Sequence, residues 1–386
     1  MTAEVVIAGI GQIPVGEHWN VSLRSLGTRA VLSALRDAGG LKPQAMYIGN
    51  MLASVVSHQA NLGALLAENS GLEGVEAYTV EAAGASGAGA FHLGYLAVAS
   101  GFVDTAVVLG VEKYTDQVGS ELESAVAQST DTDYEAVQGV TPTALAALLM
   151  QRYMHEYKAP REAFAEIPLL AHANAVNNPN AMYRKPISRE AYNRAESISD
   201  PLNLYDMAAY ADGAAAVVLT RPELVPAGMP RPLVRIVGSS VVVDSLSLHD
   251  RRDPLLFEAV TASTERACRQ AGILPTDVSL FELCDAFSIY ALLSLEAAGF
   301  AKRGQAWRLA QSGELCSSGK LPVMTMGGLK GRGNPLGATG VYQVVEAVTQ
   351  LRGLAGKAQI PDARLAMVQS LGGPASTAIT HVLERM

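Results

Sequence analysis

Short, wholly apolar runs alternate along this chain with longer stretches in which apolar positions recur at helical spacing. Val5-Val-Ile-Ala-Gly-Ile-Gly11 is a run of the first kind, closed by glycines, and reads as a buried strand. An amphipathic segment over 22–39 predicts a helix stopped by Ala-Gly, and 45–52 reads as the next strand. The order then returns. Leu233-Val-Arg-Ile-Val-Gly238 reads as a strand, 255–272 as a helix ending in Ala-Gly, and 278–283 as a strand.

The repetition continues further along both halves. Gly84-Ala-Ser-Gly87 opens a predicted helix to Gly101, and Gly337-Ala-Thr-Gly340 opens one to Gly353. Strands follow at 105–110 and 365–369. Each half closes on a glycine-rich turn and an apolar strand, at 212–219 and 372–380. Strands alternating with helices predict parallel-type sheets covered by helices. Two such halves face to face give layers of helix, sheet, helix, sheet, helix. The seam falls at 221–232, where Pro222, Pro226, Pro230 and Pro232 cluster, so the halves are expected at 1–225 and 226–386. The segment at about 112–201 has no counterpart in the second half. It is helix-rich, holds the acidic run Asp131-Thr-Asp-Tyr-Glu135, and reads as an inserted lid or substrate wall.

Composition narrows the function. The chain has 386 residues, 49% hydrophobic and 17% charged, enough for a large packed core. A net charge of −8 argues against nucleic acid as a partner. Cys268, Cys284 and Cys316 are irregularly spaced and make neither a disulfide framework nor a zinc site, which points to a reduced, cytosolic setting. No basic leader opens the chain, and no apolar run reaches the roughly 18 residues of a membrane span. The glycine-rich segment 327–340 lacks the Lys-Ser/Thr ending of a P-loop and does not match the dinucleotide fingerprint, which excludes a nucleotide cofactor. Its Lys330 and Arg332 are left as phosphate contacts or surface groups.

Six segments carry a family resemblance: 81–87, Tyr153-Met-His-Glu-Tyr157, Asn177-Asn-Pro179, Asp212-Gly-Ala214, Asp285-Ala-Phe287 and the long run 327–340. Over essentially its whole length the chain resembles the thiolase superfamily, nearest to the sterol-carrier-protein type. The resemblance implies an α/β thiolase fold, a duplicated five-layer αβαβα arrangement with two mixed sheets. It also implies a CoA thioester as substrate, no permanently bound cofactor or metal, and a homodimer formed beside the nucleophile helix.

A thiolase uses a nucleophilic cysteine, an activating histidine, a second acid/base cysteine, and a His or Asn that holds an oxyanion-binding water. By motif these positions fall on Gly84, Asn334, Ser370 and Cys284. All four differ from the family pattern. Gly84 cannot carry an acyl group, and Asn334 cannot take a proton near neutral pH. An oxyanion hole remains conceivable from the backbone at Gly84 and Gly373 with Asn334. One branch of the superfamily, the steroid side-chain retro-aldolases, lacks the cysteine and works beside an OB-fold/zinc-ribbon protein. Its tyrosines at the positions of Cys284 and Asn334 are absent here.

The expected site is therefore Cys284, as acid/base or substitute nucleophile, with Asp285, Asn334 and Ser370, and with His172 as a substrate contact. Each has a structural alternative. Gly84 also suits a tight helix crossing, Cys284 a small buried hydrophobe, and Asp285 a backbone partner. Tyr290 and Tyr342, at helical spacing past pocket motifs, read as core, as do His92 and Cys268, and Cys316 as incidental. The expected function is carbon–carbon bond chemistry on an acyl-CoA. A silent acyl-CoA-binding subunit and an acyltransferase using Cys284 are the alternatives.

Overall fold

The computed structural model describes residues 3–229 and 232–386, so Pro230 of the proline seam lies outside the described residues. Eleven strands are formed among them. They are β1 (Val6–Gln12), β2 (Ala45–Gly49), β3 (Glu76–Val80), β4 (Thr105–Glu112), β5 (Ser197–Ser199), β6 (Leu202–Asn203), β7 (Gly213–Thr220), β8 (Val234–Val243), β9 (Leu280–Glu282), β10 (Leu365–Gly372) and β11 (Thr377–Arg385). β5 and β6 make a small pair, and the other nine lie in the order β3-β2-β4-β7-β1-β8-β11-β10-β9.

Both halves are mixed sheets. β2 runs parallel to β3 and β4, and β9 parallel to β10, whereas β1–β7, β4–β7, β8–β11 and β10–β11 are antiparallel. The halves are not two free-standing sheets. They meet edge to edge where Val6 pairs with Arg235 and Ile7 with Val234. About this seam the strand order is symmetric, except that the place of β3 is taken in the second half by a single parallel bridge, Phe281 to Val323. β4 is buried along all eight residues because both of its faces are covered. Val107, Leu109 and Val111 join one apolar cluster, and Ala106 and Val108 another.

The helix Leu23–Asp37, capped by the Ser22 hydroxyl, packs on β1 and β7 from outside, and Glu258–Ala271 does the same on β8 and β11. The helices Ser86–Ala99 and Thr339–Leu351 lie between the two half-sheets and touch each other. Their crossing has no room for side chains. A Cβ on Gly340 would stand 2.3 Å from the Ala88 amide nitrogen, and one on Gly87 2.8 Å from the Gly337 carbonyl. The inserted segment supplies helices Pro142–Tyr157 and Glu166–Ala175, whose Met150, Tyr153, Ile167 and Ala171 pack into the core of the second half with Phe281 and Leu283.

Several core groups are polar. Tyr342 donates to the Ile13 carbonyl at 2.6 Å, which agrees with its reading as core. His92 is only half-buried and reaches Ser239 Oγ at 2.8 Å, which in turn lies 2.9 Å from Nδ1 of His381. The fully buried histidine is His381, whose imidazole burial pushes down to about 3. Arg332 pairs with Glu346 at 2.6 Å with both side chains out of water, and its guanidinium stacks 5.1 Å from the Tyr342 ring centroid. Lys330 is buried too, so neither cation of this segment is a surface group.

The Arg332–Glu346 pair predicts an asymmetric response in denaturant titrations. Arg332→Met alone leaves an uncompensated buried carboxylate and costs about 3–5 kcal/mol. Adding Glu346→Leu recovers most of that loss. Equal losses in the single and double variants would overturn this reading of the pair.

Candidate active site

The two central helices begin in matching elbows. A 3-10 turn, Ala83–Ala85, precedes Ser86–Ala99, and Leu336–Ala338 precedes Thr339–Leu351. Ala83 and Leu336 occupy the same position in the two repeats, and both have positive φ, +50° and +31°. Side chains hold each elbow. Ser86 Oγ accepts from the Ala82 amide at 2.9 Å and donates to the Ala83 carbonyl at 2.6 Å. Asn334 Oδ1 accepts from the Leu336 amide and from Thr339 Oγ1, both at 3.2 Å.

A cavity of ≈ 80 Å³ lies against these elbows. Its walls include Gly84, Cys284, Asn334 and Gly373, joined by Met207, Tyr210, Phe287 and Tyr290. At Gly84 a Cβ would meet a single neighbour, the Leu371 carbonyl at 2.9 Å. The tight helix crossing considered for Gly84 is built at Gly87 and Gly340 instead, while at Gly84 the β10 backbone closes one side and the cavity opens on the other. Neither the Gly84 nor the Gly373 amide has a protein acceptor among the described residues. With its carbonyl oxygen engaged, Asn334 keeps both side-chain N–H donors unspent. Orphan donors collected at one wall suit an oxygen that gains negative charge.

Cys284 lines this cavity but is held as a thiol. Burial pushes it up to about 11, more than its backbone hydrogen bonds and Lys330 pull it down. Asp285 and Ser370 do not reach the cavity. The Asp285 carboxylate accepts from the Leu329 amide at 2.6 Å and the Lys330 amide at 3.2 Å, capping the short helix Gly328–Arg332. Ser370 donates to Gln343 Oε1 at 2.5 Å within the core. Both are corrections to the expected site. A carboxylate or hydroxyl sealed in low dielectric takes the nearest backbone or amide partner rather than an empty cavity.

His172 sits elsewhere, in a larger pocket of ≈ 650 Å³ formed by the inserted segment. Tyr183, Arg184, Lys185, Tyr205 and Lys330 share that pocket. Burial and the nearby Lys330 hold the His172 imidazole below its usual range, and its Nδ1 has no partner. Lys330 donates to the carbonyls of Tyr205 and Asp206 at 3.1 and 2.6 Å, and burial lowers its amine to about 8. Met207 belongs to the walls of both cavities, so the two adjoin.

Met207, Tyr210 and Tyr290 are wall residues that the sequence does not single out. Tyr290 reads as core there because it follows a pocket motif at helical spacing. The helix starts at Ser288, which makes Tyr290 its third residue and leaves it at the end facing the cavity. That placement was available from the strand–turn–helix order after Cys284. Tyr210 lies two residues before the Asp212 motif, in a segment without periodicity, and had no signal. No cluster of metal-ligating side chains occurs among the described residues, nor any helix long and apolar enough to cross a membrane.

Comparison with known proteins fits this geometry. A model of the thiolase N-terminal domain matches residues 5–223, and one of a thiolase C-terminal domain-like unit matches residues 240–385. The acetyl-CoA acetyltransferase of Methanothermobacter thermautotrophicus is 39% identical over 99% of this chain and 100% of its own length. The benzoylsuccinyl-CoA thiolase subunit BbsB of Thauera aromatica is 34% identical over 96% of this chain and 95% of its own. Among solved structures, the Ltp2-ChsH2(DUF35) aldolase superposes with a TM-score of 0.86 at 26% identity, covering 99% of this chain and 98% of that one. The two domain matches, joined to two elbow-started helices at a shared cavity, place the chain in the thiolase family.

Proposed function

We propose that this protein makes or breaks a carbon–carbon bond in a CoA thioester, of the aldol or retro-aldol type, without an acyl-enzyme. One observation carries the reading: the position of the nucleophile is Gly84, yet the donors around it remain assembled and unspent. A Claisen cleavage must hand an acyl group to a nucleophile, and the cavity holds none that is ionised near neutrality. A retro-aldol cleavage needs only proton transfers. The β-hydroxyl loses its proton, the Cα–Cβ bond breaks, its electron pair becomes the thioester enolate, and a proton returns to Cα. The enolate oxygen would rest on the Gly84 and Gly373 amides and Asn334, worth about 3–4 kcal/mol per donor in a dry site. The solved relative named an aldolase supports the same class.

The ≈ 650 Å³ pocket suits the CoA arm, with exposed Arg184 and Lys185 at its rim for phosphate groups. CoA then enters as part of the substrate and no resident cofactor is invoked. A homodimer would cover the exposed Tyr78 of edge strand β3 and Leu93 and Leu96 of the helix Ser86–Ala99. A second protein of the OB-fold/zinc-ribbon kind is proposed as partner, since the name of the solved aldolase joins Ltp2 to a DUF35 protein. Three unpaired cysteines fit a cytosolic setting.

Intact-protein mass spectrometry with acetoacetyl-CoA and 3-hydroxybutyryl-CoA tests the reading. No acyl mass is expected on the protein, and acetaldehyde with acetyl-CoA is expected from the hydroxy substrate. An acyl group mapped to Cys284 would sink the non-covalent mechanism. Iodoacetamide at pH 8 should label Cys316 first, whose half-exposed thiol its neighbours hold below the usual range, and leave Cys284 unlabelled.

The CoA arm has its own check by calorimetry. Arg184→Ala with Lys185→Ala is expected to weaken CoA binding about 10²-fold or more, at roughly 1.5–3 kcal/mol for each charged hydrogen bond lost. Unchanged affinity would remove CoA phosphates from this rim.

A further inference from the structure

Resting on that reading of the cavity, we propose that Tyr290 is the proton-transferring catalytic residue, its phenol meeting the β-oxygen of the acyl chain. The first observation is a missing partner. Tyr290 is 3% exposed, and no group among the described residues hydrogen-bonds its hydroxyl. A buried tyrosine hydroxyl ordinarily finds a partner. Tyr342 donates to Ile13, Tyr114 to the Asn334 carbonyl at 2.6 Å, and Tyr153 to Glu296 at 2.5 Å. Tyr290 differs from these in lining the cavity.

The second observation is its mounting. The ring is wedged edge-on between Phe257 and Phe287, at centroid distances of 5.8 and 5.0 Å. It stands at the start of a helix buried along most of its length, so the hydroxyl is fixed rather than free to seek solvent. The third is elimination. The wall holds no carboxylate and no histidine. Thr339 already donates to Asn334, Ser129 donates to the Val126 carbonyl at 2.8 Å, Tyr210 is turned to Glu123, and Cys284 is a thiol whose backbone contacts hold it at the wall. Burial pushes the Tyr290 phenol well above its usual range, Cys284 and Glu135 push the same way, and Arg251 alone favours the phenolate. Arg251 is itself tied to the Ser245 and Pro374 carbonyls.

In the condensing direction the enolate carbon attacks a carbonyl carbon, the carbonyl oxygen takes the Tyr290 proton, and a β-hydroxyl results. The phenolate left behind removes the α-proton of the next acyl thioester and is neutral again. Cleavage runs through the same steps reversed and starts from the ionised form of Tyr290, which takes the β-hydroxyl proton and is regenerated when it returns that proton to carbon. The proton taken from the β-hydroxyl is the one delivered to Cα.

The test is α-proton exchange of acetyl-CoA in deuterium oxide, followed by mass spectrometry, beside cleavage of 3-hydroxybutyryl-CoA, with wild type and Tyr290→Phe. Wild type should incorporate deuterium and cleave. The variant should lose both by about 10²-fold or more, in kcat rather than KM, with CoA affinity unchanged. If wild type is active and Tyr290→Phe stays within threefold, Tyr290 is not the proton carrier. A wild type that binds CoA but neither exchanges nor cleaves overturns the proposed function and this assignment with it. Should Tyr290→Phe lose CoA binding, 3,5-difluorotyrosine at position 290 changes only the acidity of the phenol. A tenfold or larger change in the exchange rate then supports the assignment, and an unchanged rate overturns it.

Discussion

Everything at the centre of this protein depends on how closely two helices approach. Backbone meets backbone where Gly87 and Gly340 face the partner helix, and a single methyl group at either point would collide with main-chain atoms. That contact ties the two half-sheets together, because Ser86–Ala99 lies on β2 and β4 while Thr339–Leu351 lies on β10 of its own half and on β7 of the other. It also brings the two elbows to one side of the crossing, where Gly84 and Asn334 share a cavity wall. The site is therefore a by-product of packing. Neither half alone contains it, and its precision derives from a contact that tolerates no intermediate spacing.

The chemistry follows from a mostly apolar wall. Phe287, Met207 and Leu329 line the cavity, and a low local dielectric raises the worth of every dipole that points into it. Burial also penalises charge, so thiol and phenol are both pushed above their usual ranges. A site of this kind favours neutral donors and a transient anion over a standing nucleophile. The carboxylates nearby, Asp285, Glu282 and Glu346, are engaged by backbone amides, a hydroxyl and Arg332, and none of the three lines the cavity.

The duplicated architecture was legible because both of its carriers are local. Glycine-closed apolar runs and amphipathic helices ending in Ala-Gly repeat in order, and β1, β4, β7, β10 and the two central helices stand close to where the pattern put them. β3 was not legible, since Glu76–Val80 is a half-exposed edge strand with no apolar signature. The joining of the half-sheets was not either, because pairing of Val6 with Arg235 and of Ile7 with Val234, so far apart in the chain, leaves no local trace. In the site, motif spacing brought Gly84, Cys284, Asn334 and Gly373 to one cavity. It misplaced Asp285 and Ser370, which neighbour a wall residue along the chain while their side chains turn the other way. Alternation along a strand or turn decides that direction, and a motif does not encode it.

The wall at Gly84 has a further consequence. A Cβ there would stand 2.9 Å from the Leu371 carbonyl, a backbone atom that cannot swing aside as the end of a side chain does. A cysteine placed at this position would have to displace the end of β10 before its sulfur entered the cavity, and it would meet the Asn334 amide, which takes no proton near neutrality. Converting this wall to acyl transfer is thus a change of backbone and base together, beyond the reach of one side-chain exchange.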